Sequence, residues 1–122
     1  MKRLALLATL TFAPLLALAD AAGTWTSTFE TGIGPQSYIF VFAVEGTTLT
    51  GTAKNSLVEM ATEIKDGKIE GDVITFVENL NYQGQELVIT YKGTLAGDEI
   101  KFTRMVGEIA TEELVAKRAE TQ

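Results

Sequence analysis

The chain has 122 residues, 46% hydrophobic and 21% charged, with 10 Lys and Arg against 16 Asp and Glu, and with no Cys and no His. That length makes one domain. The missing Cys and His exclude disulfide scaffolds, thiolate or imidazole zinc sites, Cys nucleophiles and Ser-His-Asp triads, which leaves carboxylates, Lys, Tyr, Ser, Thr or a hard metal on oxygen ligands.

Residues 1–19 read as a signal peptide. Lys2 and Arg3 form a basic start, and Leu4 to Leu18 is an apolar run broken by Thr9, Thr11 and Pro14. Ala17-Leu18-Ala19 places small residues where signal peptidase reads them, so Asp20 is the expected new N-terminus. The run is shorter than the roughly 20 residues a spanning helix needs, which disfavours an anchor. The expected product, 20–122, is a single soluble domain in the periplasm or outside the cell, with no second apolar run. It carries eight basic and sixteen acidic residues, net −8. Such a surface repels phosphate backbones and anionic lipid heads, so neither nucleic acid nor a membrane is an expected partner.

The rest alternates in the manner of strands. Trp25, Ser27 and Phe29 share one face of the first. In Ser37 to Val44 both faces are apolar, which predicts a central strand covered on both sides. Glu45-Gly46 turns into the Thr-rich stretch Thr47–Thr52. Leu57 to Ile64 reads as a strand or one helical turn. Asp66-Gly67 has the residues of a type I′ hairpin, followed by a short strand, Lys68-Ile69-Glu70. Gly71-Asp72 turns again into Val73–Glu78. Asn79 to Gly84 reads as a polar loop, and Glu86–Lys92 puts Leu87, Ile89 and Tyr91 on one face. Gly97-Asp98 precedes Glu99–Arg104. The last segment, Glu113–Arg118, reads as a closing strand, with a short helix as the alternative. The prediction is an all-β antiparallel meander barrel of about eight strands over 23–118.

An internal repeat sets the register. Gly67 to Phe76 matches Gly93 to Phe102 at an offset of 26 residues, with Gly46 to Gly51 as a weaker third copy. Ile74 corresponds to Ile100, Phe76 to Phe102, and two steps on Glu78 to Arg104. Charged Glu99 and Lys101 face out, so Ile100, Phe102 and Arg104 face in, and Glu78 with them. An acid and a base therefore aim inward from equivalent strand ends, as solvated rim groups, an ion pair or a ligand site.

Gly23-x-Trp25 at the start of the first strand, the meander and a late-strand Arg resemble the lipocalin-like barrels of the calycin superfamily. That resemblance implies a Trp closing one barrel end with an Arg packed across it, Arg104 first and Arg118 second. Asp66 to Asp72, Tyr91-Lys92-Gly93-Thr94, Gly97 to Arg104 and Glu113 to Arg118 look like a group of short secreted bacterial proteins, some named endo-xylanase-like. This second resemblance implies a link to glycans and supplies no catalytic residues.

Two function classes follow, with a third behind them. Glycoside hydrolysis needs two carboxyl groups about 5–5.5 Å or 6.5–9.5 Å apart. Glu78 and Glu86, flanking the Asn79–Gln85 loop, are the candidate catalytic pair, and Glu59 with Glu63 is another. A non-catalytic module needs aromatic surface and a few polar groups in a concavity. For it Tyr82 is the expected exposed aromatic, among the amides Asn79, Asn81, Gln83 and Gln85. Glu78, Arg104, Tyr82 and Tyr91 are the candidate ligand-binding residues, and Trp25 and Arg104 the structural ones. The third class is a structural cell-envelope protein making contacts through a strand edge. Asp20, Asp66, Asp72 and Asp98 stand singly without calcium-loop spacing, so no metal is expected, nor any cofactor. The leading expectation is a non-catalytic domain for a glycan or a small apolar ligand.

Overall fold

The computed structural model describes residues 21–58 and 60–119. The expected signal segment, Asp20 and Glu59 lie outside the described residues. The strands are β1 (Gly23–Thr31), β2 (Gly34–Glu45), β3 (Thr48–Asn55), β4 (Thr62–Glu63), β5 (Lys65–Glu70), β6 (Val73–Tyr82), β7 (Gln85–Ala96), β8 (Glu99–Val106) and β9 (Ala110–Arg118). Their order is β2-β1-β9-β8-β7-β6-β5-β3-β4, and a β2–β3 pairing closes the ring. Both β4 and β5 lie antiparallel along β3, so together they act as one wall strand. The result is a closed antiparallel barrel of eight strands, joined up and down as the turn spacing predicts.

Period-two alternation builds the core. Side chains at every second position point inward, and the inward set is the apolar one. β1 buries Trp25, Ser27 and Phe29, β2 buries Tyr38, Phe40 and Phe42, and β8 buries Ile100, Phe102 and Arg104. At mid-height the Phe76 and Tyr91 rings stack with centroids 4.4 Å apart, and Phe40 meets both edge-on at 5.9 and 5.8 Å. Contacts of this geometry add about 0.5–1.5 kcal/mol each to the area they bury.

The two barrel ends differ. At one end lie the turns after β2, β5 and β7, with both ends of the described chain. Trp25 is fully buried there, its indole Nε1–H donating to Ala21 O at 2.9 Å. The guanidinium stacked over its ring, 4.4 Å from the centroid, is that of Arg118, which also donates from Nε to Asp98 Oδ1 at 3.0 Å. The expectation that Arg104 covers Trp25 is thereby corrected. Arg118 lies directly opposite Trp25 on the β1–β9 ladder, whereas Arg104 pairs with Tyr91 nearer the other end. At that other end, the mouth, are the turns 32–33, 83–84 and 107–109.

Several local expectations change. β2 is covered on its inner side only, and Ile39 and Val41 are 46% and 45% exposed, because a barrel has one interior. Asp66-Gly67 does not close a hairpin. Asp66 has φ 54°, and the β5–β6 register shifts between Lys65 and Lys68, so the pair forms a bulge inside β5. The left-handed backbone that suits a hairpin suits a bulge equally, and the close approach of Gly67 to Leu49 O selects the bulge. The loop expected over 79–84 is strand as far as Tyr82. Only Gln83 and Gly84, both at positive φ (55° and 80°), make the turn. Segment 57–64 is neither a full strand nor a helix; it turns at 56–57 and then pairs briefly as β4. Segment 113–118 is strand, inside β9.

Candidate functional site

The inward register brings together a polar cluster in the mouth-side half of the barrel. Glu78 is 0% exposed and Arg104 2% exposed. They do not touch as an ion pair; two phenols stand between and around them. Tyr38 donates to both carboxylate oxygens of Glu78, at 3.1 and 3.0 Å. Tyr91 donates to Glu78 Oε1 at 2.8 Å and accepts from Arg104 Nη1 at 2.7 Å. Arg104 Nε in turn donates to Glu112 Oε1 at 2.8 Å, across the β8–β9 ladder. The guanidinium lies 5.0 Å from the Phe29 ring centroid and 5.2 Å from that of Tyr38. The solvated-rim reading of the two charges is thus excluded by their burial.

Electrostatics follow from that burial. Desolvation pushes the Glu78 carboxyl above its ordinary pKa, while Tyr91, Tyr38 and Arg104 pull it partly back. Burial, then the charge of Glu78, raises Tyr38, and the same causes raise Tyr91 further, so both remain phenols and donors. Burial opposes the charge of Arg104, and its contacts with Tyr91, Tyr38 and Glu112 outweigh that, leaving it a firm cation.

Above the cluster a second set of amides leads to the mouth. Asn55 Nδ2 donates to Gln36 Oε1 at 2.8 Å, and Gln36 Nε2 donates to Thr31 Oγ1 at 2.9 Å. Asn55 Oδ1 accepts the Leu57 N–H at 2.6 Å, which ties residues 56–58 to the barrel. The mouth holds a cavity of about 260 Å³. Apolar side chains, among them Ile33, Leu80, Leu87, Ile89 and Ile109, make most of its wall. Tyr82, Gln85, Gln36, Arg104 and Glu112 supply the polar groups.

The structure sorts the predicted site residues. Glu78, Tyr91 and Arg104 come together, and of these three Arg104 borders the cavity. Tyr82 is half-buried in the cavity wall, not a fully exposed platform. Asn79 and Asn81 lie on the outer face of β6, and Gln83 sits in the turn. Glu86 is exposed on the outside of β7, opposite Asn81, whereas Glu78 is inside. A barrel wall separates the proposed catalytic pair. Four residues of the site are missed by the sequence reading, or read as packing alone: Tyr38, Gln36, Asn55 and Glu112. Each continues the inward alternation of its strand, from Phe40 on β2, Ala53 on β3 and Leu114 on β9, and that parity is the signal that would have found them. Among the described residues no three acidic side chains gather as a metal site.

The chain matches no protein-family model, and no curated protein is significantly similar to it.

Proposed function

We propose that this protein is an exported, non-catalytic barrel that holds a small uncharged ligand, with an apolar body and hydroxyl groups, in its mouth. The observation that carries the reading is the mouth cavity: a mostly apolar wall with a few convergent polar groups, the usual composition of a ligand pocket. Its volume is below the roughly 300–1,000 Å³ of pockets for drug-sized ligands, so the occupant is about monosaccharide-sized or leaves part of itself in solvent. Charge argues for neutrality. The cation at the cavity floor is already matched by Glu112, with Glu78 one phenol deeper, so an added anion meets two carboxyl groups. Tyr82 and Gln85 beside each other in the wall suit a sugar ring, one face on the phenol and hydroxyls on the amide.

Nothing in this site favours the xylanase-like reading. Among the described residues the one fully buried acid, Glu78, is sealed beneath Tyr38 and Tyr91, and its candidate partner Glu86 faces the other way. The test is a thermal-shift titration of the 20–122 chain with xylose, xylo-oligosaccharides and short-chain alcohols, since a ligand of the folded state must raise its midpoint. A rise that Tyr82→Ala abolishes is the expected result. Reducing sugar released from xylan, and lost in Glu78→Gln, would overturn the non-catalytic reading.

A further inference from the structure

The barrel is not joined evenly around its circumference. β1 and β9 each run nine residues. Among the described residues, their ladder consists of Trp25↔Arg118 and Thr26↔Lys117, extended by Ala119 N–H donating to Thr24 O at 2.8 Å. Then it stops. Ser27 Oγ donates to Val115 O at 2.7 Å, taking the acceptor that a continued ladder would offer to the Thr28 N–H. By antiparallel alternation, Thr28 and Glu30 on one side and Glu113 and Val115 on the other turn backbone groups toward this seam. The flanking joints, β1–β2 and β8–β9, are paired along their full length. Two other ladders are short: β3–β5 at Thr48↔Lys68, toward the Trp25 end, and β3–β4 at Thr52↔Glu63 and Ala53↔Thr62, nearer the mouth.

Hollows border β1 and β9 on both sides of the barrel wall. Outside it runs a groove of about 630 Å³, bordered by Thr28, Phe29, Glu113 and Val115. Inside, the mouth cavity reaches the same two strands at Thr31, Ala110 and Glu112. Phe29 stands between them, 9% exposed, its ring against the Arg104 guanidinium.

We propose that this seam is a lateral portal: β1 and β9 part above Thr26, the Phe29 ring leaves Arg104, and a ligand passes between the outer groove and the mouth cavity. The proposal rests on the cavity reading given above. It asks for the rupture of one side-chain bond, Ser27 to Val115, where parting either flanking joint, β1–β2 or β8–β9, would have to break a backbone ladder.

The chain has no Cys, so Thr28→Cys/Val115→Cys places a unique thiol pair on facing, outward positions of the seam. A short homobifunctional maleimide then ties the strands, and stopped-flow fluorescence follows the neutral probe N-phenyl-1-naphthylamine. Bridging is expected to slow both association and dissociation about tenfold while leaving affinity within about twofold. Ser27→Ala, which removes the bond across the seam, is expected to speed both. Equal rates before and after bridging overturn the portal and leave the cavity reading standing; a probe that binds neither form overturns both. Hydrogen exchange is the check that needs no probe. The Thr28 and Glu30 amides should exchange about a hundredfold faster than amides of the β6–β7 ladder, and uniform protection overturns the portal.

Discussion

Glu78 accepts from two phenols, the Tyr38 hydroxyl shared between both carboxylate oxygens, in a site with no solvent exposure, and its carboxyl is held above its ordinary pKa by that burial. The folded state therefore binds this proton more tightly than the unfolded chain does. Its contribution to stability is complete below the unfolded pKa and is lost as pH rises through the folded one. In urea unfolding across that window, the stability of the wild type minus that of Glu78→Gln should fall with rising pH; a flat difference would show that burial does not govern the group. Tyr91→Phe removes a donor from Glu78 and an acceptor from Arg104 at once, and should cost about 1–3 kcal/mol. At the other end, Trp25→Ala should cost about 3–5 kcal/mol as a truncated buried aromatic, out of a total of about 5–15 kcal/mol. Far-UV circular dichroism must report it, since Trp25 is the chain's single Trp. The milder Trp25→Leu allows a double-mutant cycle. Coupling with Arg118→Met should be about 0.5–1 kcal/mol, as for a partly exposed cation over an indole, and coupling with Arg104→Met near zero.

At the scale of elements, the 26-residue repeat turns out to record packing as well as turns. Gly67 and Gly93 are its equivalent members. A Cβ on Gly67 would stand 2.0 Å from Leu49 O, and one on Gly93 2.4 Å from the Phe102 ring. The first lets the bulged β5 cross close under β3, and the second lets an inner ring lie flat on β7. Gly93→Ala should thus cost about 1–3 kcal/mol by overpacking, read as a drop in urea midpoint. Gly67→Ala should cost at least as much, because its neighbour is backbone and cannot rotate away. Gly71, at the tip of the β5–β6 turn, has open space at the same construction but a φ of +62°, so there conformation and not volume explains the glycine.

For the whole molecule, the polar cluster and the mouth can be separated by experiment. Ile109 is 76% exposed at the rim, and Ile109→Ser should weaken binding of a neutral probe with little change in unfolding midpoint. Glu86→Gln, on the outer wall, should alter neither. If Glu86→Gln abolished binding, the ligand would lie outside the barrel and the mouth reading would fail. Four large apolar side chains at or near the mouth, Ile33, Leu57, Met60 and Ile109, are exposed on three different connections.

Much of the architecture was legible in the residues alone. Alternation of apolar and polar positions, punctuated by Gly-Asp turns, determined an all-β meander, and the repeat determined that Glu78 and Arg104 point inward. Those features depend on neighbours in sequence, where strand geometry has period two and needs no further information. Tertiary structure decided the rest, because it depends on which strands meet. Whether an Asp-Gly pair turns the chain or merely bulges it was decided by Leu49 approaching from β3. Which arginine stacks on Trp25 was decided by the β1–β9 register, which sets Arg118 directly opposite. The partners of Glu78 come from β2 and β7 and that of Arg104 from β9, and only closure of the ring brings those strands to one site. The mouth cavity likewise has no local signature: it is the space left where the tips of three hairpins and Leu57 fail to fill the barrel above a buried layer of polar side chains.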